Sequence, residues 1–121
     1  MLELKGVERR FASGKGIGPV SFCVRQGEVC SVVGPNGAGK STLFGILSMV
    51  SEEFTGSWSL DGRIGRQIPR GAIGYLPEST FLIPSFTPRQ FCSFDASMRG
   101  VPHTAASIEE HLETFACKDF I

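Results

Sequence analysis

The stretch Gly34-Pro35-Asn36-Gly37-Ala38-Gly39-Lys40-Ser41-Thr42 decides how this chain is read. Its residues through Ser41 match G-x-x-x-x-G-K-[ST], a loop that leaves a strand, wraps a phosphate and opens a helix. Glycines let such a loop turn tightly, so that successive backbone N–H groups converge on phosphate oxygens. The helix that follows points its positive dipole end at the same anion. Lys40 can reach the β- and γ-phosphates, the Ser41 hydroxyl can ligate Mg²⁺, and Thr42 can add an N–H or hydroxyl contact. The flanks fit the motif. Glu28–Val33 is short, rich in Val and bounded by Gly, which predicts a buried parallel strand. Leu43, Ile46, Leu47 and Val50 fall at i, i+3, i+4 and i+7, one face of a helix.

Further out, Leu2–Phe11 and Val20–Arg25 read as strands. The turn signals at Ala12–Pro19 and Gln26–Gly27 let them pair antiparallel. Gly56–Leu60 reads as a strand ended by the turn pair Asp61–Gly62, and Ala72–Leu76 as another, stopped by Pro77. From Glu78 the character changes. An irregular loop carries Phe81, Leu82, Ile83 and Phe86. Thr87, Pro88 and Gln90 then form a capping box with proline at the first helical position. That helix puts Phe91, Phe94 and Met98 on one face and closes at Arg99–Gly100. Ser107 with Glu110 repeats the box, and Ile108, Leu112, Phe115 and Ala116 line the last helix. The division expected is 1–77 for the β and loop core and 78–121 for the helical start.

Composition narrows the class. The chain has 121 residues, 41% of them apolar, with 12 acidic and 12 basic side chains. That describes a globular chain with no electrostatic case for nucleic acid or an anionic membrane surface. Arg9–Arg10 and the Arg63/Arg66/Arg70 series read as solvated surface. Cys23, Cys30, Cys92 and Cys117 lack C-x-x-C spacing. Cys23 and Cys30 stand among apolar residues, where a free thiol behaves as a small hydrophobe. Met1–Lys5 opens directly into strand-like sequence, and no apolar run approaches the length of a membrane span. The expectation is a reduced, cytosolic chain with no direct membrane insertion.

The base is partly readable. Guanine recognition in common GTPases uses N-K-x-D, and Asn36 is the only asparagine. Phe11 can offer a ring to adenine, a stack worth about 1–3 kcal/mol. The plainer reading of Phe11 is a core residue at a strand end. Residues alone leave the two level.

Several stretches together resemble an ATP-binding-cassette domain. They are "GPNGAGKST" at the loop, the aromatic Phe11, "VSFCVRQG" at Val20–Gly27 followed by Glu28, "TGSWSLDG" at Thr55–Gly62, "IGYLPE" at Ile73–Glu78 and "FTPRQFCSFDASMRGVP". The "YLPE" form is similar to that of multidrug, polysaccharide and haem exporters. The resemblance covers nearly the whole chain. It implies an α/β P-loop NTPase with an antiparallel β subdomain, the start of a helical subdomain and an incomplete sheet. It implies ATP and Mg²⁺ as cofactors and Phe11 as the adenine stack. Glu78 takes the place of the glutamine that helps hold Mg²⁺ and the attacking water. The implied partners are a transmembrane permease subunit, met by the apolar loop after Glu78, and a second ATP-binding cassette. The chain would then sit at the inner face of the membrane through its partner.

The family's signature loop, its second carboxylate-bearing strand and its switch histidine are not found. There is no Gly-Gly pair, and the aspartates are Asp61, Asp95 and Asp119. His103 and His111 read as surface residues of the helical region. Hydrolysis needs a water-orienting group and Mg²⁺ held from a second side, so turnover by this chain alone is not expected. Without neighbouring strands the P-loop strand would have bare edges. The leading function is the ATP-binding subunit of a transporter, or part of one. The alternatives are a catalytically inactive nucleotide-binding accessory chain and a different P-loop enzyme such as a small kinase.

Overall fold

The computed structural model describes residues 1–69, 71–79 and 82–115. Arg70, Phe81, Ala116, Cys117 and Asp119 lie outside them. Contacts divide the chain into two compact units, Met1–Tyr75 and Leu76–Ile121.

In the first unit β1 (Leu2–Arg10) is the centre of a three-stranded antiparallel sheet. Its neighbours are β2 (Gly16–Val24) and β3 (Thr55–Leu60). Leu4 faces Phe22 on one side and Trp58 on the other. The β1–β3 register shifts between Lys5 and Glu8. Two glycines with positive φ, Gly6 and Gly56, make the close crossing there. A Cβ on Gly56 would stand 2.2 Å from the Gly6 carbonyl oxygen. β3 ends in a two-residue turn at Asp61 and Gly62, both with positive φ. That is the conformation that suits a tight hairpin.

Helix α1 (Lys40–Leu47) buries Leu43 and Ile46. They join Leu4, Val7, Ile17, Trp58 and Ile68 in one core. The helix is shorter than its apolar spacing predicts. Met49 turns left-handed at φ 60. The Met49 N–H donates to Ile46 O and the Val50 N–H to Gly45 O, each at 3.0 Å. This double bond pattern closes a helix, and it leaves Val50 exposed.

The largest departure from expectation is residues 28–33. They belong to no strand, and Val29 and Val33 are 96% and 92% exposed. Only Val32 of the three valines packs against the core. A valine-rich parallel strand is stabilised by neighbours on both edges and layers on both faces. The sheet formed by the described residues is antiparallel and excludes this segment. Cys23 and Cys30 were expected in apolar surroundings but are exposed: Cys30 lies on the segment outside the sheet, and Cys23 alternates with Phe22, which takes the core side of β2. Residues 72–76 also have irregular backbone instead of the expected strand, although Ile73 touches the core.

The second unit holds α2 (Pro88–Arg99) and α3 (Ala105–Thr114). Thr87 caps α2 in a box with Gln90, and Gly100 closes it in the left-handed region. The second box stands one turn earlier than expected: Thr104 is the cap, and Ser107 is its partner. Ala105 and Ala106 favour helix enough to extend α3 back to that threonine. Ile108 and Leu112 are buried, whereas Phe94, Met98 and Phe115 are exposed. Phe86 packs edge-on against Phe94, ring centroids 5.8 Å apart. His103 is half-buried and hydrogen-bonds Ser93 at 3.1 Å.

Candidate phosphate-binding loop

The loop at 34–39 runs into α1 as the motif requires, but it leaves the irregular segment 28–33 and not a strand. Gly37 and Gly39 have φ of 85 and 96, a region where side chains with a Cβ are strained. Gly39 carries a second constraint. A Cβ there would stand 2.4 Å from Gly16 O and 2.9 Å from Ile17 Cβ. The loop is therefore pressed against the first residues of β2, and only glycine fits the contact.

Gly39 is also the N-cap of α1, and no side chain caps the helix. The first-turn N–H groups thus lack a side-chain acceptor, and the first turn contains no acidic residue. Such an end attracts an anion through both its free donors and its dipole. Lys40 folds back over the loop. Its Nζ donates to Gly34 O at 2.5 Å and to Pro35 O at 2.8 Å. Among the described residues, the partners of this ammonium are two carbonyls of the loop itself. Pro35, Asn36 and Ala38 are exposed, Ser41 presents an exposed hydroxyl, and Thr42 is half-buried. Ahead of the loop, the Glu28 carboxylate accepts from the Arg25 N–H at 2.7 Å and closes the turn after β2.

Phe11 stands just beyond β1, in a turn where its N–H donates to Lys15 O at 2.8 Å. The last pair of the β1–β2 ladder is Arg10 with Gly16, and Gly16 is the residue against which Gly39 presses. The aromatic turn and the loop therefore meet at Gly16. Phe11 is 40% exposed, so it is not the enclosed core residue of the plainer reading. Its ring has a neighbour that the sequence reading missed. The Arg9 guanidinium carbon lies 4.4 Å from the ring centroid. Arg9, expected in solvent, has a side chain only 19% exposed. Arg10 does reach solvent, with Glu8 beside it. Strand alternation does not signal the contact, because Phe11 lies beyond β1 in the turn.

Glu78 is exposed and belongs to the second unit. Among the described residues no three His, Cys, Asp or Glu side chains cluster as a metal site. Ser41 and phosphate oxygens are the kind of donor Mg²⁺ accepts, with water completing its shell. The donor set therefore suits a nucleotide-bound ion rather than a protein-caged one. A cavity of about 500 Å³ floored by Ile46, Phe54 and Trp58 lies beyond the C-terminal end of α1. None of the loop residues 34–42 lines it. Among the described residues no helix is long and apolar enough to cross a membrane.

Comparison with known proteins agrees with this geometry. The family model described as ABC transporter matches residues 17–121. The lipoprotein-releasing system ATP-binding protein LolD of Bacteroides fragilis is 32% identical over 116 residues. That match covers 89% of this chain and 54% of LolD. Human ATP-binding cassette sub-family A member 9 is 39% identical over 82 residues, covering 68% of this chain and 5% of that protein. The macrolide export ATP-binding/permease protein MacB 1/2 of Paracoccus denitrificans is 31% identical over 117 residues, or 87% of this chain and 18% of its own length. The chain thus spans about half of LolD (54%) and far less of the larger relatives.

Proposed function

The chain belongs to the ABC transporter family, whose domain is an α/β P-loop NTPase, and on that premise we propose that it binds MgATP through residues 34–42 as part of a transport ATPase. The observation that carries this reading is the uncapped, acid-free start of α1 with Lys40 folded back onto the loop before it. On binding, Lys40 exchanges two backbone carbonyls for the outer phosphates. The first-turn N–H groups take the inner ones. The Ser41 hydroxyl would hold Mg²⁺, which would neutralise phosphate charge. Phe11 stacks on adenine.

The relatives' names support the role in transport: lipoprotein release for LolD and macrolide export for MacB. The proposed partners are a permease subunit and a second cassette, at the inner face of a membrane. Leu76 and Leu82 are exposed in the second unit and suit an apolar docking site, while Phe86 is partly engaged by Phe94.

Titration calorimetry tests the assignment. Lys40→Ala should weaken MgATP binding at least about tenfold, since a charge-assisted contact contributes about 1.5–3 kcal/mol. Unchanged affinity would sink it. The second reading is a nucleotide-binding accessory chain without turnover of its own. Saturable, Lys40-dependent binding with no phosphate release selects that reading.

A further inference from the structure

Arg9 is held from three directions. Its Nη1 donates to Ser51 Oγ, and its Nη2 donates to Glu53 Oε2 at 3.0 Å. Its guanidinium carbon lies 4.4 Å from the centroid of the Phe11 ring. Both anchors come from the segment just past α1, more than forty residues along the chain. Only arginine does this readily. Its planar fork can donate sideways to two acceptors while its face lies on a ring, and an ammonium cannot.

The arrangement leaves Phe11 with one face covered and its turn fixed by the bond to Lys15 O. That turn meets the phosphate loop through Gly16 and Gly39. A molecule whose phosphates lie on α1 therefore has a single ring face within the same corner. The cation behind the ring also draws on its electron density, which suits the outer face to an electron-rich base. A two-ring purine overlaps that face more fully than a pyrimidine.

We propose that Arg9 is a positioning residue for the base: it braces Phe11 from behind and presents the opposite ring face to a purine. The inference rests on the proposed nucleotide site. It differs from a purely structural strut tying β1 to the segment after α1. A strut would act on every ligand of the loop alike, whereas a brace acts only on ligands with a base.

The test is calorimetry on the full chain with MgATP and with magnesium tripolyphosphate, which has no base. Arg9→Ala should weaken MgATP about three- to tenfold, in line with a partly exposed cation–π contact. Tripolyphosphate affinity should stay within about twofold, whereas Lys40→Ala should weaken both ligands. Arg9→Lys keeps the charge and the fold and should give a smaller loss for MgATP alone. In a Phe11→Ala background Arg9→Ala should have no further effect. Equal weakening of both ligands, no weakening, or the same loss in the Phe11→Ala background would overturn the inference. A parent chain that binds tripolyphosphate as tightly as MgATP overturns it while leaving the loop assignment intact. A parent chain that binds neither overturns both.

Discussion

Gly39 illustrates how a single residue serves fold and site together. Its φ of 96 and the 2.4 Å approach of its virtual Cβ to Gly16 O leave no room for another side chain. Gly39→Ala should destabilise the chain by about 1–3 kcal/mol, read as a lower urea midpoint. Gly45 is the control. It lies inside α1 with nothing within 4 Å of its virtual Cβ. Gly45→Ala should be neutral or stabilise by up to about 1 kcal/mol. At this scale the loop was legible because its pattern is written in backbone demands: glycines where side chains clash, then Lys40 and Ser41. Arg9 was not legible. Its anchors, Ser51 and Glu53, lie far along the chain, and two adjacent arginines look like any solvated pair.

Among the elements, those set by local chemistry were readable and those set by neighbours were not. The cap at Thr87 with Pro88 and Gln90 is formed as its sequence implies. The Thr87 hydroxyl accepts from the Gln90 N–H, and Gln90 returns a bond to the Thr87 N–H at 2.9 Å. Thr87→Ala should therefore cost about 1 kcal/mol of stability in the second unit, measured as earlier loss of helical circular dichroism on heating. The turn at Asp61–Gly62 was equally local. Residues 28–33 and 72–76 have strand-like composition but are not strands here. Hydropathy reports what a segment can bury, whereas a ladder needs a partner with free backbone groups. The cap of α3 was misplaced because Ser107 is also a good cap residue, and the alanines before it carry no stop signal.

For the whole molecule the decisive quantity is uncovered apolar surface. Val29 and Val33 are almost fully exposed on a segment outside the sheet, a combination that invites chains to associate. The isolated chain should self-associate as concentration rises. Val29→Lys together with Val33→Lys should shift it towards monomer in size-exclusion light scattering. An unchanged mass distribution would show that these valines are not the contact. The fold class was legible at this scale because the loop, its helix and the antiparallel strands leave few alternatives. The extent of the sheet was not, since it depends on which strands stand beside residues 28–33. The placement of Trp58 on β3 has an optical consequence. The chain has one tryptophan and one tyrosine. Trp58 is buried in the first unit, and Tyr75 is that unit's last residue. Near-ultraviolet excitation of indole thus senses the first unit only. The second unit is silent at those wavelengths, so melting of the loop-bearing unit has a colour of its own.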